Sequence, residues 1–200
     1  MLKALNLRLS QPFQINLKQL THLEDVYLDF LSFYTPEPLN NILRRLNMQE
    51  STENCIKYDF PDSLKRLKIT NRDLVFNMNL KSLTNLTNLN SLMLHSLKKI
   101  LIDNRNPFGC FKNLKTLKIY NSRLILQKHA YLSQNEIQIG PECLENLMLD
   151  FSKCIEHPKN QKIHFDNVPL LKNLVLLDNG QNTGLTPLFF DEEKKQSING

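Results

Sequence analysis

Three phrases set 25 residues apart decide how this chain folds: Leu64-Lys65-Arg66-Leu67-Lys68-Ile69, Leu89-Asn90-Ser91-Leu92-Met93-Leu94 and Leu114-Lys115-Thr116-Leu117-Lys118-Ile119. Each reads L-x-x-L-x-L, with Ile or Val admitted at the fourth and sixth places. Outward from them the phrase returns as Leu2-Leu5-Leu7, Leu23-Val26-Leu28, Leu144-Leu147-Leu149 and Leu171-Leu174-Leu176. First leucines are spaced by 21, 41, 25, 25, 30 and 27 residues. The gap of 41 holds one long unit or two short ones, which Leu43-Leu46-Met48 would divide. With 38 Leu in 200 residues a single match is cheap. Seven matches in series are not, and a repeat architecture is the reading they support.

The fourth and sixth places lie two apart, so in an extended chain they point to one side. The first Leu turns inward before the strand begins. One unit cannot bury three large apolar side chains alone, whereas stacked copies share a continuous core with parallel strands. Between strands, Leu39, Ile42, Leu43 and Leu46 have helical spacing behind Pro36 and Pro38, which predicts an amphipathic helix on the outer side. Leu80, Leu83 and Leu86 have helical or 3₁₀ spacing. Residues 128–140 read as a longer polar loop. Gly180-Gln181-Asn182-Thr183-Gly184 reads as a turn, because it lacks the lysine and the spacing of a phosphate loop.

Composition bounds the rest. Hydrophobic residues at 41% and charged residues at 22% fit a globular chain. No apolar run approaches the length that crosses a membrane as a helix. The net charge of +5 is too small and too scattered to mark a nucleic-acid reader on its own. Lys3, Arg8 and Lys18 precede the first acid at Glu24, as in a targeting segment, but the alternation of Leu5, Leu7 and Leu9 favours a strand. Cys55, Cys110, Cys143 and Cys154 form no tight pairs, and no secretory leader precedes them. They read as reduced thiols, which places the chain in the cytoplasm or nucleus. Asn85-Leu86-Thr87 is then a sequon without a glycosylating compartment. Cys143, Cys154, His157 and His164 can be drawn as a zinc site, but the tight second pair is missing. The expectation is no metal and no cofactor.

The repeated phrase resembles that of leucine-rich-repeat proteins, over about 175 of the 200 residues. It is similar to the irregular repeats of fungal leucine-rich proteins, including those that follow an F-box. The Asn or Cys expected at the ninth place is mostly replaced, by Ser10, Leu31, Arg72, Leu97, Ser122 and Ser152, with Asn179 the exception. No F-box is expected from these residues. The resemblance implies an α/β solenoid, with a curved parallel sheet on its concave side and irregular loops and short helices on its convex side. Residues 1–190 would form about seven units, and the charged tail 191–200 would be disordered. The family's concave face binds protein partners. Members with an F-box recruit substrates to a ubiquitin ligase, of which only the recognition half is implied here.

In such a ribbon the third, fifth and seventh places face solvent. The second strand is then acidic, the third basic, the fifth basic with Tyr120, and the sixth acidic. Tyr27, Arg66, Lys68, Met93, His95, Lys118 and Tyr120 are the candidate partner-binding residues, because Tyr and Arg dominate binding energies and charge patterns orient partners. The plainer reading is that Asp25 and Asp29 pair with Arg66 and Lys68 across strands. No G-x-S-x-G, H-E-x-x-H or G-x-G-x-x-G occurs, so a non-enzymatic protein-recognition module is expected. The alternatives are a basic surface for nucleic acid or phosphorylated ligands, through Arg66, Lys68, Lys115 and Lys118, and a decayed repeat fragment without a ligand. The first unit starts at Leu2, so a capping partner or self-association at that N-terminal edge is also expected. Leu185, Leu188, Phe189 and Phe190 would close the other end.

Overall fold

A computed structural model describes residues 1–9, 15–30, 58–71, 77–97, 99–126, 136–151, 162–165, 168–177 and 187–189. The segment 39–46, the phrase 43–48, the glycine turn 180–184 and the tail 191–200 lie outside these. The chain is a solenoid of parallel strands. One face is a seven-stranded sheet made of β1 (Ala4–Leu9), β3 (Asp25–Phe30), β5 (Arg66–Asn71), β7 (Ser91–His95), β9 (Thr116–Tyr120), β12 (Asn146–Asp150) and β14 (Asn173–Leu177), in that order across the sheet. All six pairings are parallel.

The register is the repeat itself. The fourth places Leu5, Val26, Leu67, Leu92, Leu117, Leu147 and Leu174 line up one beside the next, and so do the sixth places from Leu7 to Leu176. A slip of one residue would expose both rows, which is why the register is held wherever one face is buried. Leu92, Leu94, Leu117 and Ile119 are completely buried. Each such side chain contributes about 1.5–3 kcal/mol relative to exposure.

Two backbone devices repeat with the leucines. The carbonyl at the second place of each coil accepts two N–H groups from the next coil: Lys65 O takes Asn90 and Ser91, Asn90 O takes Lys115 and Thr116, and Lys115 O takes Glu145 and Asn146. In addition, each first leucine from Leu23 to Leu171 donates its N–H to the carbonyl three residues earlier, at Leu20, Pro61, Leu86, Phe111, Pro141 and Val168. The apolar residue at that place is itself buried in all but Leu20, which is half-buried. The repeat is therefore longer than L-x-x-L-x-L by one apolar position on its N-terminal side.

The helix expected at 39–46 lies outside the described residues, and what is described of the return side is mostly extended. Its described residues include short strands: β2 (Ile15–Asn16) with β4 (Tyr58–Asp59); β6 (Asn77–Asn79), β8 (Lys99–Ile102) and β10 (Leu124–Leu126); and β11 (Glu136–Gln138), β13 (Lys162–Phe165) and β15 (Pro187–Phe189). A 3₁₀ helix at Leu80–Leu83 is the one helix among the described residues, and it uses the expected three-residue spacing to bury Leu80 and Leu83. Residues 136–140 were expected in a polar loop. Instead Ile137 and Ile139 are buried beside β13, so the alternation Glu136-Ile137-Gln138-Ile139 decides their conformation. Met78, Ile100, Ile102, Leu124, Ile137, Ile163 and Phe165 join the leucine rows in one core. Phe30, Phe108, Phe111 and Phe151 are its largest fully buried side chains.

Among the described residues, the exposed large hydrophobic side chains are Met1, Leu2, Leu170, Val175, Leu176 and Leu177. All belong to the first or last coil. Leu176 occupies an inward place yet is 39% exposed, and among the described residues β14 is the last strand of the sheet.

Candidate functional site

Pleating sends the third, fifth and seventh places of the phrase to the outer face of the sheet, and the register arranges them in three rows. The first row runs Ala4, Asp25, Arg66, Ser91, Thr116, Asn146, Asn173; the central row Asn6, Tyr27, Lys68, Met93, Lys118, Met148, Val175; the third Arg8, Asp29, Thr70, His95, Tyr120, Asp150, Leu177. All seven candidate residues lie on this face. Four of them, Tyr27, Lys68, Met93 and Lys118, are consecutive in the central row. Arg66 stands in the first row, and His95 and Tyr120 are neighbours in the third.

The outer rows neutralise much of their own charge. Arg66 grips Asp25 with two donors, Nε to Oδ1 at 2.5 Å and Nη2 to Oδ2 at 2.6 Å. The Arg66 guanidinium holds the Asp25 carboxyl below its ordinary value, with burial opposing and Lys65 assisting. Asn173 and Asn146 join by a side-chain hydrogen bond of 2.7 Å. In the third row Asp29 is buried, accepts the Thr70 hydroxyl at 2.8 Å and lies 3.8 Å from Arg8. The expected pairing of Asp29 with Lys68 is thus replaced, since Lys68 belongs to the row beside it. The His95 and Tyr120 rings meet edge to face, with centroids 5.7 Å apart.

The central row is different. The Lys68 ammonium sits 4.5 Å above the Tyr27 ring, a cation–π contact. Among the described residues neither Lys68 nor Lys118 forms an ion pair. Met93 and Met148 alternate with them. Reading the residues singly left Met148 out of the candidates, although it continues the row directly beyond Lys118. A shallow depression of about 440 Å³ opens over strands β1 to β7, bordered by Asn6, Asp25, Tyr27, Lys68 and Met93.

A second charge ladder lies at the edge of the face, on the second places of the phrase. Lys65 meets Glu24 at 3.2 Å, and Glu145 is held between Lys115 at 3.4 Å and Lys172 at 2.9 Å. Lys172, then Lys115, draw the Glu145 carboxyl below its usual value. These pairs tie neighbouring coils together.

No three His, Cys, Asp or Glu side chains converge to hold a metal ion among the described residues. Burial pushes the Cys110 thiol up, which makes it a poor nucleophile at neutral pH. No helix among the described residues is long and apolar enough to cross a membrane. The face is an array of side chains on a parallel sheet, with two cations, a tyrosine and two methionines in one line. Comparison with family models, with curated proteins and with solved structures finds no match to this chain.

Proposed function

We propose that the chain is a non-enzymatic recognition module of leucine-rich-repeat type, which binds a protein partner on the outer, concave face of its long sheet. The observation that carries this is the central row. Among the described residues its cations have no acidic partners while Arg66 and Arg8 of the flanking rows do, and they alternate with Tyr27, Met93 and Met148. An aromatic ring and flexible thioethers on a rigid scaffold are the groups that adapt to a protein surface.

The same pairing weakens the nucleic-acid reading. Of the four cations it would use, Arg66 and Lys115 are ion-paired. Phosphate contacts would first have to break those pairs.

The test is affinity purification of the full chain from cell extract, compared with the variant Tyr27→Ala/Met93→Ala/Lys118→Ala. The reading expects a defined set of proteins with the native chain, lost with a variant whose melting temperature is unchanged. Recovery of the same proteins with both forms would refute it. Co-purifying ligase subunits would extend it to substrate recruitment. Binding that falls by about 10³-fold between 50 and 200 mM salt would point to phosphates instead.

A further inference from the structure

Resting on the reading above, the spacing of the central row narrows the chemistry of the partner. Lys68 and Lys118 lie on β5 and β9, two strand intervals apart, with Met93 of β7 between them. At about 4.8 Å per interval the two lysines are about 10 Å apart along the row. A ligand laid across the strands must therefore present acids about 10 Å apart with an apolar group midway. In an extended peptide, residues on one side recur at about 6.7 and 13.4 Å, and residues about 10 Å apart point to opposite sides. In an α-helix, residues seven apart lie about 10.5 Å apart on one face, with positions three and four midway between them.

We propose that the central row receives an acidic amphipathic α-helix of a protein partner, lying across the strands. Carboxylates seven residues apart meet Lys68 and Lys118. An apolar residue on the turn between them meets Met93, and those on the outer turns meet Tyr27 and Met148. Complementary charge supplies the orientation, and the apolar contacts supply the buried area. With Arg66 paired to Asp25 and Arg8 to Asp29 on either side, the central lysines have no acidic partner among the described residues.

The test uses the full chain and a displayed library of 18-residue peptides on an alanine-based helical background, randomised on one face. Enriched peptides should carry Asp or Glu seven residues apart with an apolar residue at the third or fourth position between. Lys118→Glu should weaken a selected peptide by about tenfold, and the double variant Lys68→Glu/Lys118→Glu should reselect Lys or Arg at those positions. Circular dichroism of each variant confirms that it folds. Enriched peptides lacking the acidic pair, yet still lost with Tyr27→Ala, would overturn the helix inference and leave the recognition face standing. No enrichment at all would overturn the inference, and the extract purification then decides on the face by itself. Binders indifferent to Tyr27, Met93 and Lys118 would overturn both.

Discussion

At the scale of single residues, a few polar groups hold neighbouring coils in place. Ser122 is completely buried; its hydroxyl donates to Tyr120 O at 2.8 Å and accepts the Leu97 N–H of the preceding coil at 2.9 Å. Ser122→Ala leaves that buried N–H unsatisfied, so a loss of about 1–3 kcal/mol is expected by denaturant titration. A cost within error of zero would show that the bond is dispensable. Asp25 gives a pH prediction. Its folded pKa lies below the ordinary 3.8 because of Arg66. The stabilisation is therefore complete above that value and disappears as pH falls through the lower folded one. Melting temperature measured on the acid side should fall more steeply for the native chain than for Asp25→Asn. Identical slopes would mean that the pair contributes nothing.

At the scale of elements, the strands of the long sheet were legible because two-residue alternation inside a recurring phrase leaves one choice of face. The same logic placed Tyr27, Lys68, Met93 and Lys118 on the outer side. The return strands escaped because each is two to four residues long, too short for a period to show, although Lys99-Ile100-Leu101-Ile102 and Leu124-Ile125-Leu126 carry the β-branched and apolar types that strands favour. The asparagine signal was sought at the wrong place. At the ninth place the buried Ser122 makes the inter-coil bond. Asparagines act just before the first leucine, where Asn88 donates to Asp62 O and Asn113 to Thr87 O of the preceding coils, both at 2.9 Å. Which acid pairs with which cation depends on register across 20 to 40 residues, and spacing within one strand does not contain it. Two outcomes follow. Asn113→Ala should cost about 0.5–1.5 kcal/mol, the worth of one ordinary hydrogen bond. Leu117→Ala, in the middle of the buried row, should cost about 2–5 kcal/mol. Leu174→Ala, half-buried at the last strand, should cost clearly less, and equal costs in the two leucine variants would contradict a core that thins toward its end.

At the scale of the whole molecule, stability sums over neighbouring coils, and among the described residues the exposed large apolar side chains lie on the first and last strands of the long sheet or just before them. Leu176 and Leu177 are exposed on β14, the last strand of the sheet among the described residues, and an open edge there favours edge-to-edge association. Leu177→Lys should lower self-association in sedimentation at high protein concentration without lowering the melting temperature. The central claim is that the recurring leucines stack coil on coil, so that the fifth places form a straight file across seven strands. Pulsed electron paramagnetic resonance measures this directly, with spin labels at Tyr27 paired in turn with Met93, Met148 and Val175, in a chain whose native cysteines are changed to serine. These pairs are two, four and five strand intervals apart, so stacking requires separations that climb in step, about 10, 19 and 24 Å before the label arms are added. Separations that fail to rise in that order would contradict the stacked solenoid and the binding row built upon it.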